Sequence, residues 1–403
     1  MIRTLGHRIG GLCAPIRGKA FSTNAAFARS LPGSAYVDPA LYEVERKYLL
    51  GPRWQLVGHE SQLLKDADKA PATYIAETIA GWPTIVVRSS KTGQINAYHN
   101  VCRHKAGPLQ WDGTSGACDL HGLKCKYHGW TYSLEGKLVG VPGFSTDHCG
   151  HLDRSELQLW PMRVARWRGL LFLQSLPTDT GAAMSGPSAD AQFLEENRAF
   201  CDRLSGGDVG GSRGVPLEDF EFHSATTHTI KCNWKVYVEN YLEGYHIPTI
   251  HPGLNQQVDM KQYIVKVHKG FVEHESPTLP GSNSAYEGVW VWHAPAMAIN
   301  WYGDGLSLER IVPTGPATTE IRYQYLFRKR QPGESAETQE QRRQHAIDTS
   351  AEVTGEDVGI CEAVQRSLQG GAYLSPGFLS PRHEQGVAYF QSLVREAHAQ
   401  AEM

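Results

Sequence analysis

From Ala70 to about Ser175 the chain consists of short apolar runs broken by glycines and polar turns. Pro83-Thr-Ile-Val-Val-Arg88, Gln94-Ile-Asn-Ala-Tyr98 and Gly169-Leu-Leu-Phe-Leu173 read as strands, with turns at Lys91-Thr-Gly93 and Glu135-Gly136. Upstream, Leu41, Val44, Tyr48 and Leu49 follow Pro39 at helical spacing, which predicts a helical entry segment over 38–69. Downstream, Ile321, Tyr323, Tyr325 and Phe327 alternate with Glu320, Arg322, Gln324 and Leu326, the pattern of a half-buried strand. Residues 335–368 read as helix. The small, polar, Pro/Gly-bearing stretch that begins near 176 predicts a linker or surface loop over 179–204. The expected fold is α+β: a small all-β domain over 70–178, then a larger α+β domain over 205–403.

Composition removes several classes. Lys+Arg number 39 against 42 Asp+Glu, too even for a protein organised around nucleic acid or an anionic membrane surface. No run of 18 apolar residues is present, so no membrane-spanning helix is expected, and eight cysteines are too few for a disulfide scaffold. The first acidic residue is Asp38. Before it stand Arg3, Arg8, Arg17, Lys19 and Arg29 among Ser, Thr and apolar residues. That is transit-peptide composition, and a mitochondrial transit peptide is expected over 1–33, with Lys19-Ala20-Phe21 before Ser22-Thr23 as a processing site. A disordered tail is the alternative. The expected location is the mitochondrial matrix, with cytoplasm, or plastid in a plant, as alternatives.

Two Cys-His pairs lie in the β-rich segment, Cys102-x-His104 and Cys125-x-x-His128. Two thiolates and two imidazoles can hold a tetrahedral zinc ion, or a [2Fe–2S] cluster with two cysteines on one iron and two histidines on the other. Composition alone leaves both open. Cys118-x-x-His121 is a further pair that could compete, but it lacks the Gly-Trp that follows His128.

A second constellation begins at Asn233. Glu243 and His246 are three apart and neighbours on a helix surface, whereas His246 and His251 would stand about 140° apart on an unbroken helix. Pro248 is expected to break the helix between them and let the rings converge. Two histidines and a carboxylate on one face of a metal, with positions left open, suit non-haem Fe(II) oxygen chemistry. The carboxylate must come from elsewhere, and Glu356, Asp357 and Glu362 on the expected helix are its best sources.

The segment Cys-Arg-His-Lys-Ala-Gly-Pro-Leu at 102–109, with Cys-Lys-Tyr-His-Gly-Trp at 125–130, resembles the Rieske cluster signature, and 230–252 resembles the catalytic helix of Rieske non-haem iron oxygenases. The resemblance implies a [2Fe–2S] cluster on Cys102, His104, Cys125 and His128, and mononuclear Fe(II) on His246, His251 and Asp357. It also implies a catalytic antiparallel sheet covered by helices. Glu243 would bridge the iron site to a Rieske histidine of a neighbouring subunit, most simply in a homotrimer. O2 would be the co-substrate.

No GxGxxG dinucleotide fingerprint in a βαβ context is present, so electrons would come from an external ferredoxin or NAD(P)H-dependent reductase. Glu-x-Tyr-His at 243–246 and the run Ala294–Tyr302 look most like the branch acting on quaternary ammonium compounds. Choline, oxidised to betaine aldehyde hydrate, is the favoured substrate. Demethylation or cleavage of carnitine, glycine betaine or proline betaine is the alternative, as is aromatic-ring dioxygenation. An electron carrier or a zinc-stabilised binding protein represents a different class. Aromatic faces bind trimethylammonium heads, and Tyr286, Trp290, Trp292, Trp301 and Tyr302 are the candidate substrate residues.

Overall fold

The computed structural model describes residues 27–401 except 66, 119–121, 145–151, 175–186, 207–214 and 330–332. The processing site expected at 19–23, and His121 of the competing pair, lie outside the described residues. The exclusion of 1–33 from the fold needs correcting at its end. Leu31 is buried in the main core, and Ser30 N–H donates to the Gly377 carbonyl at 3.0 Å.

The entry helix is shorter than expected. It runs Pro39–Glu45, capped by the Asp38 carboxylate accepting from Ala40 N–H, and continues as a wider turn over Arg46–Leu50. Gly51 and Pro52 end it, and β1 (Gln55–His59) follows as a fully buried strand. Residues 38–69 are therefore mixed, because five consecutive buried residues suit a strand covered on both faces.

β1 joins an antiparallel sheet with β2 (Ala72–Ile79), β3 (Trp82–Ser89), β4 (Ile95–His99), β5 (Thr114–Cys118), β9 (Pro161–Trp167) and β10 (Leu170–Gln174), in the order β1-β10-β9-β4-β3-β2-β5. A small three-stranded sheet, β6 (Gly122–Lys124), β7 (Thr131–Ser133) and β8 (Leu138–Gly140), carries the second Cys-His loop.

The stretch 179–204 is not simply a linker. Its described part forms helices Pro187–Glu196 and Arg198–Ser205, whose Phe193 and Phe200 are buried against Trp54 and Trp167. Four buried or part-buried apolar positions at helical spacing (Ala189, Phe193, Phe200, Leu204) override the polar composition around them.

The second half is a seven-stranded antiparallel sheet in the order β11-β17-β16-β15-β14-β13-β12, comprising β11 (Phe220–Ile230), β12 (Ile264–His268), β13 (Phe271–Glu275), β14 (Tyr286–His293), β15 (Met297–Tyr302), β16 (Gly305–Gly315) and β17 (Thr318–Arg328). Alternation sorts its side chains. Val291, Ile299, Trp301, Leu306 and Leu308 face the helices at 187–205 and the first sheet. Trp292, Tyr302 and Ile311 face helices Trp234–Tyr241, Ala336–Gln369 and Gln385–Ala401.

β17 is buried on both faces rather than half-buried. Its polar residues meet the first domain: Arg322 pairs with Glu77 and, at 3.0 Å, with Asp112, and Gln324 donates to the Val57 carbonyl at 3.1 Å. An alternating strand thus reads as solvent-facing from sequence while its polar face lies on another domain.

Candidate active site

The two Cys-His loops are paired turns. Cys102 N–H donates to the Gly107 carbonyl and Ala106 N–H to the Cys102 carbonyl, while Cys125 N–H donates to Trp130 and Gly129 N–H to Cys125. Lys126 N–H to the Pro108 carbonyl, 2.9 Å, ties one loop to the other. Gly107 is required by close approach, since a Cβ there would lie 2.8 Å from Tyr127 Cβ and 3.1 Å from Cys125 Sγ. Both thiols are buried, and the His104 and His128 rings stand 4.7 Å apart. His104 stacks on Trp130 at 4.8 Å, whereas His128 is exposed.

The donor set fits a cluster. His104 Nδ1 is buried with no hydrogen-bond partner, an orphaned nitrogen of the kind a metal satisfies. Cys102 Sγ lies 3.2 Å from the Tyr132 hydroxyl, which can donate to a thiolate.

The second site begins with helix Trp234–Tyr241, whose N-cap Asn233 accepts from Lys235 N–H. The helix stops at Tyr241, before Glu243. Pro248 is therefore not the breaker: it sits in the first turn of a short helix, Ile247–Ile250. His246 is the N-cap of that turn, and His251 leaves it with φ −117° and ψ 71°. Placing the two rings at opposite ends of one turn is what brings them together.

The break at 242–244 leaves room for Tyr263, whose ring approaches Gly244 so closely that a Cβ would fall 2.3 Å from it.

His246 Nε2 and His251 Nε2 are 3.1 Å apart, and Asp357 Oδ1 lies 3.0 Å from the latter and 3.8 Å from the former. These three residues form a group whose donor atoms all lie within 4.8 Å of one another. The far nitrogens are engaged too: His246 Nδ1 meets Glu243 Oε1 at 2.6 Å and His251 Nδ1 meets Glu356 Oε2 at 2.7 Å. Three carboxylates thus surround two imidazoles, a charge balance suited to a dication, with each ring oriented from behind. Burial would lower the His251 pKa, but hydrogen bonds and charge from Asp357 and Glu356 outweigh it and raise it.

The carboxylate rivals separate by position. Glu356 supports His251 from the side away from the donor group, and Glu362 accepts from Lys231 N–H. Asn240, which sequence reading missed, donates to Asp357 Oδ1 at 2.7 Å.

Beside the three donors lies a cavity of about 80 Å³ that opens to solvent. Of the candidate substrate residues, Trp290 and Tyr286 line it; Trp292, Trp301 and Tyr302 do not. Trp301 points through the other face of the sheet into the second core. Trp292 shares the face of Trp290 but lies one step further along β14, against Phe390. Tyr302 stands behind Tyr286, with its hydroxyl 3.0 Å from Ser307 Oγ. Tyr241, Tyr263, Asn300 and Glu309 line the cavity and were missed. The polar residues Asn300, Ser307 and Glu309, which alternate with apolar residues and project from one face of β15 and β16, were the available signal.

Residues 53–161 match the Rieske [2Fe–2S] domain and residues 217–400 match the ring hydroxylating alpha subunit catalytic domain. The chain belongs to the Rieske non-haem iron oxygenases: it is an oxidoreductase with a Rieske [2Fe–2S] cluster and mononuclear iron as cofactors. It is 29% identical to the chloroplastic choline monooxygenase of Arabidopsis thaliana over 86% of this chain and 78% of that one. It is 25% identical to the carnitine monooxygenase oxygenase subunit of Escherichia coli K12, over 93% and 96%. The solved quaternary ammonium Rieske monooxygenase CntA shares its fold, with TM-score 0.75, 24% identity and coverage of 92% and 96%.

Proposed function

We propose that the chain is the oxygenase component of a quaternary ammonium monooxygenase and that choline is its substrate. The observation that carries this reading is the cavity beside His246, His251 and Asp357. It presents the rings of Tyr241, Tyr263, Tyr286 and Trp290, and among the described residues no lysine or arginine lines it. A trimethylammonium head gains about 0.5–2 kcal/mol from each aromatic face it covers. Carnitine and the betaines also carry a carboxylate, for which this lining offers no cationic partner. The likeness to choline and carnitine monooxygenases supports the same substrate class.

His246, His251 and Asp357 hold the iron in this reading, and Cys102, His104, Cys125 and His128 hold the cluster. Bound iron supplies oxygen activation, and the cluster supplies one electron at a time. The overall balance is choline, O2, two electrons and two protons to betaine aldehyde hydrate and water. Glu243 Oε1 holds His246 Nδ1 while Oε2 accepts from the backbone N–H groups of Tyr245 and His246. The side chain is partly exposed, and the remaining lone pair of Oε1 can accept from a histidine of a neighbouring subunit in a ring, most simply a trimer. Exposure of His128 suits that role on the donating side. Inter-subunit electron transfer has been described for CntA. An external ferredoxin or NAD(P)H-dependent reductase supplies the electrons.

The acid-free N-terminus supports organelle targeting, and the chloroplastic location of the plant relatives favours a plastid over the mitochondrial matrix expected above.

The test is oxygen uptake with a supplied reductase over choline, carnitine, glycine betaine and small aromatic acids. Choline should give the highest turnover, with betaine aldehyde as product. Preferred turnover of carnitine or of an aromatic acid would sink the choline reading.

A further inference from the structure

Glu309 projects from β16 into the substrate cavity and is only 1% exposed. Its Oε1 accepts from the Tyr237 hydroxyl at 2.8 Å and its Oε2 from Asn300 Nδ2 at 2.9 Å. Asn300 is itself fixed, because its Oδ1 accepts from the Tyr241 hydroxyl at 2.8 Å and its amide also donates to Ser307 Oγ. All the donors aimed at this carboxylate are neutral. Among the described residues no lysine or arginine pairs with it.

That arrangement is expensive for the empty protein. A buried carboxylate without a cation is destabilising, and a neutral amide could make similar hydrogen bonds without that penalty. Burial pushes the Glu309 pKa up to about 7, against the opposing hydrogen bonds from Asn300 and Tyr237. The buried carboxylates Glu45 and Glu273 are ion-paired, with Lys235 at 2.8 Å and Arg203 at 2.6 Å; Glu239, held by Tyr36 and Gln391, still lies in the field of Lys235. Glu309 has instead an aromatic-walled space, bounded by Tyr241, Tyr286 and Trp290, beside the metal-ligand group. A fixed positive charge entering that space would meet ring faces and, apart from Glu243 and Asp357, which engage the two histidines, a third carboxylate whose hydrogen-bond donors already hold it in place.

We propose that Glu309 is the counter-anion for the substrate's quaternary ammonium head and a specificity-determining residue of the cavity. The inference rests on the quaternary ammonium reading and deepens it. A substrate with a net positive charge is favoured, and a zwitterion whose carboxylate must enter the same cavity meets like charge. Glu309 acts by binding and orienting the head, which leaves the chemistry to the iron site.

The experiment measures equilibrium binding to the holoenzyme of choline, tetramethylammonium and 3,3-dimethylbutan-1-ol, the uncharged carbon isostere of choline. Wild type should bind choline at least about tenfold more tightly than the isostere. Glu309→Gln should weaken choline and tetramethylammonium by about tenfold or more while leaving the isostere within about twofold. Glu309→Asp, which keeps the charge, should restore part of the preference for cations. An equal loss for all three ligands in Glu309→Gln would mark a merely structural role, and unchanged choline binding would overturn the proposal, as would wild type failing to bind tetramethylammonium. If tetramethylammonium binds in a Glu309-dependent way and choline is not oxidised, the choline assignment fails and the counter-anion stands.

Discussion

The two candidate metal-binding regions of this protein are assembled in opposite ways. The Cys-His region is local: its candidate ligands fall between Cys102 and His128, on two turns closed by their own backbone hydrogen bonds and tied together by one more. The His-His-Asp region draws on separate elements. A helix end and a one-turn helix supply Glu243, His246 and His251, and the long helix Ala336–Gln369 supplies Glu356 and Asp357. The first site needs little beyond its own hairpins to be correctly shaped. The second exists only when the long helix docks on the catalytic helix, and each of its imidazoles depends on a carboxylate that is not one of the three converging donors. A local site is robust and legible, while a composite site can be tuned from several elements at once.

The sharpest break in this comparison is a pair of variants. His246→Ala should lose mononuclear iron and drop substrate-dependent oxygen uptake to background, while visible and EPR spectra of the cluster stay unchanged. Cys125→Ser should lose the cluster spectrum and activity, yet keep the His-His-Asp site able to bind a divalent metal. Loss of both metal centres in either variant would show that the regions are not independently assembled.

A smaller effect is expected one residue away from the ligands. Glu356→Gln removes the charge behind His251 but retains an acceptor, and should weaken iron binding by roughly 10–100-fold without altering the cluster. Metal titration of the apo protein measures this. Wild-type affinity in the variant would mean that His251 is oriented by packing alone.

The smallest expected effect is on the local site. Tyr132→Phe removes the hydroxyl 3.2 Å from Cys102 Sγ. A hydrogen bond of about 1 kcal/mol corresponds to roughly 40 mV for a one-electron couple, and its loss should lower the cluster potential by about that much. Redox titration followed by EPR reads the shift, and an unchanged potential would remove Tyr132 from the tuning of the cluster.

The gradient of legibility follows the same division. The strands around 83–88, 94–98 and 170–173 and the helix over 336–369 were readable because a two-residue or 3.6-residue period is a local property. The helices at 187–205 were not, because their burial depends on Trp54 and Trp167, far away in the chain. The same limit misplaced β17, whose alternating polar residues look solvent-facing until Glu77 and Asp112 are brought across from the first domain. It also spread the aromatic candidates too widely. Trp290, Trp292, Trp301 and Tyr302 are close in sequence, but strand pleat and register send only Trp290 into the cavity.

By itself the sequence determined the candidate donors: the two Cys-His pairs, the two histidines five apart and a short list of acids for the third position. These are matters of residue type and spacing, which survive without coordinates. Tertiary structure decided which acid meets the histidines, where the helix breaks, which rings wall the cavity and that a buried glutamate faces it. Each of those depends on side chains from distant segments meeting within a few ångströms, and no local period along the chain encodes such a distance.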